Sequence, residues 1–353
     1  MIGHGGINNN ATVGHRGDVV VRATDDITAF AGAADADIAN DNGPRFAKIG
    51  HGGSGVNGSH SGLVSVLTTG GGLSFTGGDQ NDFFTQIGHG GRGGNGDFSG
   101  NIEVLGAGDI DFTAGAGARA FAQLGHGGNR VGIGGTDAGH SGTIYVASTG
   151  GSMTFSAGVD NGAIAVGNEA FAQLGHGGFN TDGDHLGDIV ARANGGIDFT
   201  PGGAANRSYA QFGHGGRGSD PRSNLGYQGS VDVYTNAGNI EVTAGNSNTA
   251  YSQIGHGGRD EAGESNLPGE RTAAAFFGDI SVVTDDGSVT LTGTSNSAAQ
   301  IGHGGRENEV VVANSLGQTG HTGDITVTAG DADNSGNDGD VSLLSGSGDG
   351  ATL

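Results

Sequence analysis

One short motif recurs throughout this sequence and restricts the folds open to it. The segment I/L/F-G-H-G-G occurs eight times, and its histidines follow one another at intervals of 37 to 50 residues. A recurrence of this length is typical of repeat architectures, in which each unit buries its apolar face against its neighbours. The histidines of the motif are His4, His51, His89, His126, His176, His214, His256 and His303.

Two further segments recur between the GHGG motifs. One reads G-x-I/V-x-V, as in GNIEVLG from Gly100, and the other follows it after a tight turn, as in DIDFTAG from Asp109. All three segments alternate apolar and polar residues and are bounded by Gly, Asn and Asp. This pattern predicts three strands in each unit and no helix.

The fold that accommodates these units is an all-β, right-handed parallel β-helix (β-solenoid) with eight coils of three strands. Like strands stack on like at about 4.8 Å, so the body extends over roughly 38 Å. Alternation predicts that Val19 and Val21 point into the core, as do Leu73 and Phe75. The main alternative, with two coils per unit, requires dissimilar strands to stack. Residues 1–353 are thus a single β-solenoid repeat domain, with units starting near residues 1, 46, 84, 121, 171, 209, 251 and 298.

The composition excludes several classes of protein. The chain is glycine-rich, with 79 glycines, but it lacks the G-X-Y period of collagen. It is acidic, and its net charge of -23 argues against nucleic acid or an anionic membrane as a partner. The absence of cysteine removes disulfides and zinc–thiolate sites. No apolar run reaches the roughly 18 residues of a membrane span, and the first residues do not read as a signal peptide.

The motif histidines are predicted to form a structural ladder. In strand register His51 lies on the same side as Ile49, opposite Lys48, which we expect to face water. The histidine side should therefore face the core or a corner, where a neutral imidazole can hydrogen-bond through both nitrogens. Metal binding or proton relay along the column is the alternative, but the column lacks the carboxylate or thiolate partners of most metal sites. Acid is expected to weaken the stack by charging it.

A second column occupies the position two residues before the glycine that opens the second strand. Phenylalanine cannot bind a metal ion but can join an aromatic stack, so we predict a structural aromatic column. Its members are His15, His60, Phe98, His140, His185, Tyr227, Phe276 and His321.

Three other patterns suggest weaker hypotheses. Phe84, Phe121, Phe171, Tyr209 and Tyr251 predict an aromatic column beside a glutamine ladder, with a sugar-binding strip as the alternative. Outward threonines such as Thr113 could suit ice binding, but acidic residues interrupt them. The arginines after GHGG (Arg92, Arg217, Arg259 and Arg306) are expected to pair with acids at the surface. No nucleophile–base–acid set is visible, so we expect no enzyme activity, catalytic residue, cofactor or metal site.

The order FAQLGHGG, then GDIxVxA, then IxFTAG resembles the β-solenoid repeats of large secreted bacterial proteins. These are filamentous haemagglutinin-like, two-partner-secretion and autotransporter adhesins. The resemblance covers nearly the whole chain, although the secretion module of that family is not visible. It implies a right-handed stalk with no catalytic residue to carry over, located outside the cell or on the bacterial cell surface.

We therefore expect a structural, non-catalytic shaft segment of an extracellular bacterial adhesin. A self-assembling extracellular filament subunit that stacks head to tail is one alternative, because no cap is visible beyond Ile2 and Val19 or beyond Ile325 and Val341. A β-helix protein that binds or cleaves polysaccharides is another. Expected partners are a further copy end to end, or flanking repeats of the same parent chain, with a surface glycan or host molecule as additional candidates. Nucleic acid and membrane insertion are not expected.

Overall fold

The computed structural model describes most of the chain, with gaps at several loops. The described residues are 1–8, 14–33, 45–132, 139–158, 169–202, 207–219, 221, 225–247, 249–258, 276–294, 297–305, 321–330 and 339–344.

Strands from successive units stack into five sheets, which we number in the order in which the chain meets them within a unit. Every strand pairs with its counterpart in the adjacent unit, and every such pairing is parallel and in register. Phe121, for example, lies opposite Phe84 and Phe171, its equivalents in the units before and after. This arrangement confirms the predicted parallel β-helix.

The strand bounds follow the repeat closely. Sheet 1 contains Phe46–Ile49, Phe84–Ile87, Phe121–Leu124, Phe171–Leu174, Tyr209–Phe212, Tyr251–Ile254 and Ala298–Ile301. Sheet 2 contains Gly5–Ile7, Gly52–Ser54, Gly90–Arg92, Gly127–Asn129 and Gly177–Phe179. Sheet 3 contains His60–Ser61, Phe98–Ser99, Gly139–Ser141, Asp184–Leu186, Tyr227–Gln228 and Phe276–Phe277.

Sheets 4 and 5 have eight strands each. Sheet 4 contains Val19–Ala23, Val64–Thr68, Ile102–Gly106, Ile144–Ser148, Ile189–Ala193, Val231–Thr235, Ile280–Thr284 and Ile325–Ala329. Sheet 5 contains Ile27–Phe30, Leu73–Thr76, Ile110–Thr113, Met153–Ser156, Ile197–Thr200, Ile240–Thr243, Val289–Thr292 and Val341–Leu344.

The prediction of three strands per unit was too low. Sheets 1, 4 and 5 are the predicted ones, whereas sheets 2 and 3 consist of segments of only two or three residues. Such segments are too short to show an alternating pattern, and those of sheet 2 begin with two glycines. They still pair because the coils above and below hold their backbones in register.

The apolar core is a set of stacked columns from sheets 1, 4 and 5. Ile102 and Val104 of sheet 4 are buried, as are Ile110 and Phe112 of sheet 5 and Leu124 of sheet 1. Phe75, Phe112, Phe155 and Phe199 stack with centroids 5.1 to 5.5 Å apart. The inward residues predicted from alternation lie in or against this core, with Val21 only partly buried.

Sheet 1 is buried on both faces, which the sequence did not predict. All four residues of Phe84–Ile87 are buried, because the glycines of sheet 2 fold back over the outer face. A Cβ on Gly91 would lie only 3.1 Å from the Phe84 ring and 2.0 Å from the Gly53 carbonyl oxygen. Gly91 has φ +136°, a conformation that glycine adopts without steric cost. The second layer thus depends on glycine for its backbone turn and its close approach.

One local expectation was wrong. Lys48 does not face water but is 3% exposed, because the glycine layer covers its side of sheet 1. Val19 in the first unit is buried, whereas Ile2, Ile325 and Val341 are between 42% and 49% exposed. Val19 lies in register with Val64 and packs into the core.

Candidate functional site

The motif histidines form a continuous column along the corner between sheets 1 and 2. Their rings stack with centroids 4.7 to 5.3 Å apart and planes within 15° of parallel. His89, His126, His176, His214 and His256 are fully buried, whereas His4 is exposed.

The same two hydrogen bonds hold each histidine from His51 to His303. The Nδ1 atom of His126 accepts a hydrogen bond from the main-chain N–H of His89, at 2.9 Å. The Nε2 atom lies 2.8 Å from the carbonyl oxygen of Gly100, the glycine that opens the strand of sheet 4 in the preceding unit. Both bonds recur in the other six members of this set.

This pattern fixes the protonation state of the column. An Nδ1 atom that accepts from an N–H carries a lone pair, so the proton must reside on Nε2, where it is donated to the glycine carbonyl. Each imidazole is therefore neutral with both nitrogens engaged, and its one in-plane lone pair, on Nδ1, is occupied by the main-chain N–H rather than free for a metal ion.

Burial lowers the pKa values of these imidazoles. It lowers the pKa to about 3 in His89 and His256 and to about 4 in His176. For His126 and His214 burial again dominates, and charge on neighbouring histidines lowers the pKa further. The hydrogen bond to the glycine carbonyl acts in the opposite direction but is outweighed.

The second column runs beside the first, at the position of sheet 3. Its eight rings stack with centroids 4.5 to 5.2 Å apart in one series from His15 to His321, including Phe98, Tyr227 and Phe276. Several of these rings lie close to the glycine that follows a motif histidine: a Cβ on Gly90 would lie 2.7 Å from the Phe98 ring, and one on Gly215 would lie 2.7 Å from the Tyr227 ring. Burial lowers the pKa of His60 and His140 to about 3.

A glutamine ladder lies on the outer face of sheet 1. The Nε2 atom of Gln86 donates to Oε1 of Gln123 at 3.0 Å and to the carbonyl oxygens of Gly125 and Gly127 at 3.0 and 3.1 Å. Gln123, Gln173 and Gln253 likewise donate to the two corresponding glycines of the next unit. The ladder thus binds the motif backbone of one unit to the amide of the previous one. The predicted aromatic column stacks beside it with centroids 4.6 to 5.1 Å apart.

Lys48 occupies the glutamine position one unit before Gln86, with which it is in register. Its Nζ atom donates to Oε1 of Gln86 and to the carbonyl oxygen of Gly88. From Gln86 to Gln253 the amides donate to the following unit, so the donor for Oε1 of Gln86 must come from the preceding unit. That unit has no glutamine at this position, and Lys48 donates in its place. Burial lowers the pKa of Lys48 well below its usual value.

A ladder of alternating charges stands at the turn before sheet 1, and the sequence reasoning did not identify it. Asp82, Arg119, Glu169 and Arg207 each lie two residues before the first strand and each have a positive φ, between 58° and 71°. Arg119 pairs with Asp82 at 2.8 Å and with Glu169 at 3.9 Å, and Glu169 pairs with Arg207 at 3.3 Å. The alternation of acid and base at one fixed offset from the motif was the available signal.

The arginines that follow GHGG differ from one another. Arg92 pairs with Asp82 at 2.9 Å, as predicted for a surface ion pair. Arg217 is fully buried, so its predicted surface position was wrong. Arg259 and Arg306 lie outside the described residues. Burial tends to raise the pKa of Asp82, but Arg119 and Arg92 outweigh it and hold the pKa below its usual value.

The outer face of sheet 5 carries an open groove of about 350 Å³. Ser152, Thr154, Asp198, Asn239 and Glu241 contribute to its lining. Burial and the Glu241 carboxylate raise the pKa of Asp198.

The motif histidines and the glutamines engage their polar atoms in bonds between adjacent coils. No helix formed by the described residues is long and apolar enough to span a membrane. Within the same part of the chain, no three His, Asp or Glu side chains converge in a way that could hold a metal ion. Comparison with known proteins found no matching family model, no matching curated protein and no matching solved structure.

Proposed function

We propose that the chain is a structural, non-catalytic shaft segment of an extracellular bacterial adhesin. The observation that carries this proposal is that its polar side chains form hydrogen bonds between coils. The motif histidines and the glutamines, which elsewhere often bind ligands, here engage their polar atoms in bonds between adjacent coils. A stack that directs its polar groups along its own axis is suited to bearing load and spacing other parts apart.

The sequence resemblance to the stalk repeats of secreted bacterial adhesins supports the same proposal, as does the solenoid fold. The expected location is therefore the cell surface or the extracellular medium. An antibody against the folded chain should label intact cells of the source bacterium. Labelling only after the cells are permeabilised would contradict the proposal.

A self-assembling filament is the first alternative function. The exposed Ile2, Ile325 and Val341 lie in the first and last units, where a further coil could pair. The partner would be another copy or flanking repeats of the same parent chain. A surface glycan or host molecule remains a proposed partner for the sides of the shaft.

The groove on sheet 5 gives a specific reason to test a polysaccharide-binding or polysaccharide-cleaving function. Asp198 and Glu241 are in register on adjacent strands, and paired carboxylates are the usual catalytic groups of glycoside hydrolases. A screen of neutral and acidic polysaccharides for new reducing ends distinguishes the functions. Turnover that disappears in Glu241→Gln would support an enzyme, whereas no turnover is expected of a shaft.

A further inference from the structure

The motif histidines cannot gain a proton without losing a coil contact. The Nε2 atom already carries its proton, so an added proton must go to Nδ1, which accepts the main-chain N–H of the preceding motif histidine. Protonated Nδ1 is a donor and cannot accept that bond. Charging His126 and keeping the His89–His126 rung are therefore mutually exclusive, and the same holds at every rung from His51 to His303.

The charged groups around the two columns mostly oppose protonation of the histidines as well. His15 tilts against His4 and His51, and Lys48 adds positive charge near His51, His60 and His89. In the central units, positive charge on His176 lowers the pKa values of His140 and His185 of the second column. Asp279 is the exception, because its negative charge favours the charged form of His303. Acid should therefore weaken this rung less than it would without Asp279.

We propose that the two imidazole columns form a switch that opens the solenoid cooperatively as the pH falls from neutral into the mildly acidic range. Neighbouring rungs share their bonds, so the loss of one rung weakens those on either side. The trigger is protonation of histidines that the folded stack holds neutral.

The direction of the pH dependence follows from linkage. Burial lowers the pKa to about 3 or 4 in six histidines, and well below the usual value in three more. A histidine of this kind is neutral when folded but takes up a proton on unfolding below about pH 6.5. The contribution of these histidines to stability is therefore complete above that pH and falls below it, by about tenfold in the folding equilibrium per histidine per pH unit. Asp111 and Asp198, whose pKa values burial raises, act in the opposite direction.

The test is the pH dependence of urea unfolding of the full chain between pH 7 and pH 5. The slope of the logarithm of the unfolding constant against pH counts the protons taken up. We expect more than about four protons per molecule near pH 5.5. An uptake of fewer than about two would overturn the proposal.

A matched pair of variants separates the switch from general acid denaturation. His140→Phe combined with His185→Phe should keep the fold, because Phe98 and Phe276 occupy the same column. Between pH 7 and pH 5 the folding equilibrium constant of this variant should fall less than that of the wild type. The difference should be roughly 30-fold for each histidine removed. His4→Asn, at an exposed ring, is the control for replacing a motif histidine.

The first column is tested by His126→Asn. The asparagine oxygen can still accept the His89 N–H but cannot titrate. The variant should be less stable at pH 7, because the bond to Gly100 is lost, yet its slope should fall by about one proton. Wild-type slopes in both His126→Asn and the double phenylalanine variant would refute the switch.

Discussion

At the scale of single residues, each motif histidine from His51 to His303 satisfies a donor and an acceptor of the main chain. His126 accepts from the His89 main chain and donates to Gly100, at positions that water does not reach. A buried polar group left without a partner costs about 1 to 3 kcal/mol. The histidine therefore stabilises the fold chiefly by serving the backbone of its neighbours.

Replacing His126 by alanine should expose this dependence. Two buried backbone groups lose their partners, and the ring leaves a cavity, so we expect a loss of about 2 to 4 kcal/mol in the free energy of unfolding. Urea denaturation at pH 7 measures it, with His4→Ala as the exposed control. A change equal to that of the control would show that the rungs add nothing to stability.

For Lys48 we expect that one replacement stabilises the fold, because a lysine is poorly suited to a buried position in the glutamine ladder. Its burial opposes the charged form that the unfolded chain carries at pH 7. Lys48→Gln extends the amide ladder by one member without burying a charge, so we expect the free energy of unfolding to rise by about 1 kcal/mol, the typical net contribution of one hydrogen bond. Lys48→Ala leaves Oε1 of Gln86 without its donor and should destabilise the fold. Equal loss in both variants would contradict the role of Lys48 as a substitute rung.

At the scale of elements, the repeat pattern predicted the strands in which apolar and polar residues alternate. It did not predict the short strands without this alternation. Sheets 1, 4 and 5 follow from period-two patterns, such as that of Ile110–Thr113. Sheets 2 and 3 do not, because a segment such as Gly90–Arg92 pairs only through its neighbours. The positions of Lys48 and Arg217 were wrong for a related reason: alternation identifies the core face of a strand but not a second layer over the other face.

The site was predictable to the extent that it repeats. A column of identical residues at one register implies stacking, so the imidazole and amide ladders could be hypothesised from the sequence. The Nε2–glycine bonds could not, because they join His126 to Gly100, in a different segment of the preceding unit. Such cross-links depend on the curvature of the coil, which has no signature in a linear pattern.

The charge ladder before sheet 1 should contribute to the correct order of coils. Arg119 and Arg207 flank Glu169, so Glu169→Arg would place three positive charges in sequence at partly buried positions. We expect a loss of about 1 to 3 kcal/mol. Glu169→Gly removes the charge while tolerating φ +71°, and should cost less. Differential scanning calorimetry of both variants at low and high salt would separate charge from backbone effects, and equal losses would argue against an electrostatic role.

At the scale of the whole molecule, the net charge of -23 acts against contact between copies. The Debye length falls from about 30 Å at 0.01 M salt to about 3 Å at 1 M. If copies pair end to end, light scattering should show particle size rising with salt, and electron microscopy should show rods of increasing length. Particles of one size at every salt and protein concentration would remove the filament alternative.

The hydrogen bonds of the ladders also have one direction along the sequence, which bears on the order in which coils can fold. In the units that contain Gln86, Gln123, Gln173, Gln211 and Gln253, the main-chain N–H of the motif histidine and the amide N–H of the glutamine point toward the unit that follows in sequence. A finished coil therefore offers a row of donors to the coil made after it. A chain delivered through a narrow opening with its N-terminus leading could fold turn by turn on the far side, each completed turn acting as the template for the next. Every turn captured this way resists being drawn back, so folding itself could ratchet such a chain outward.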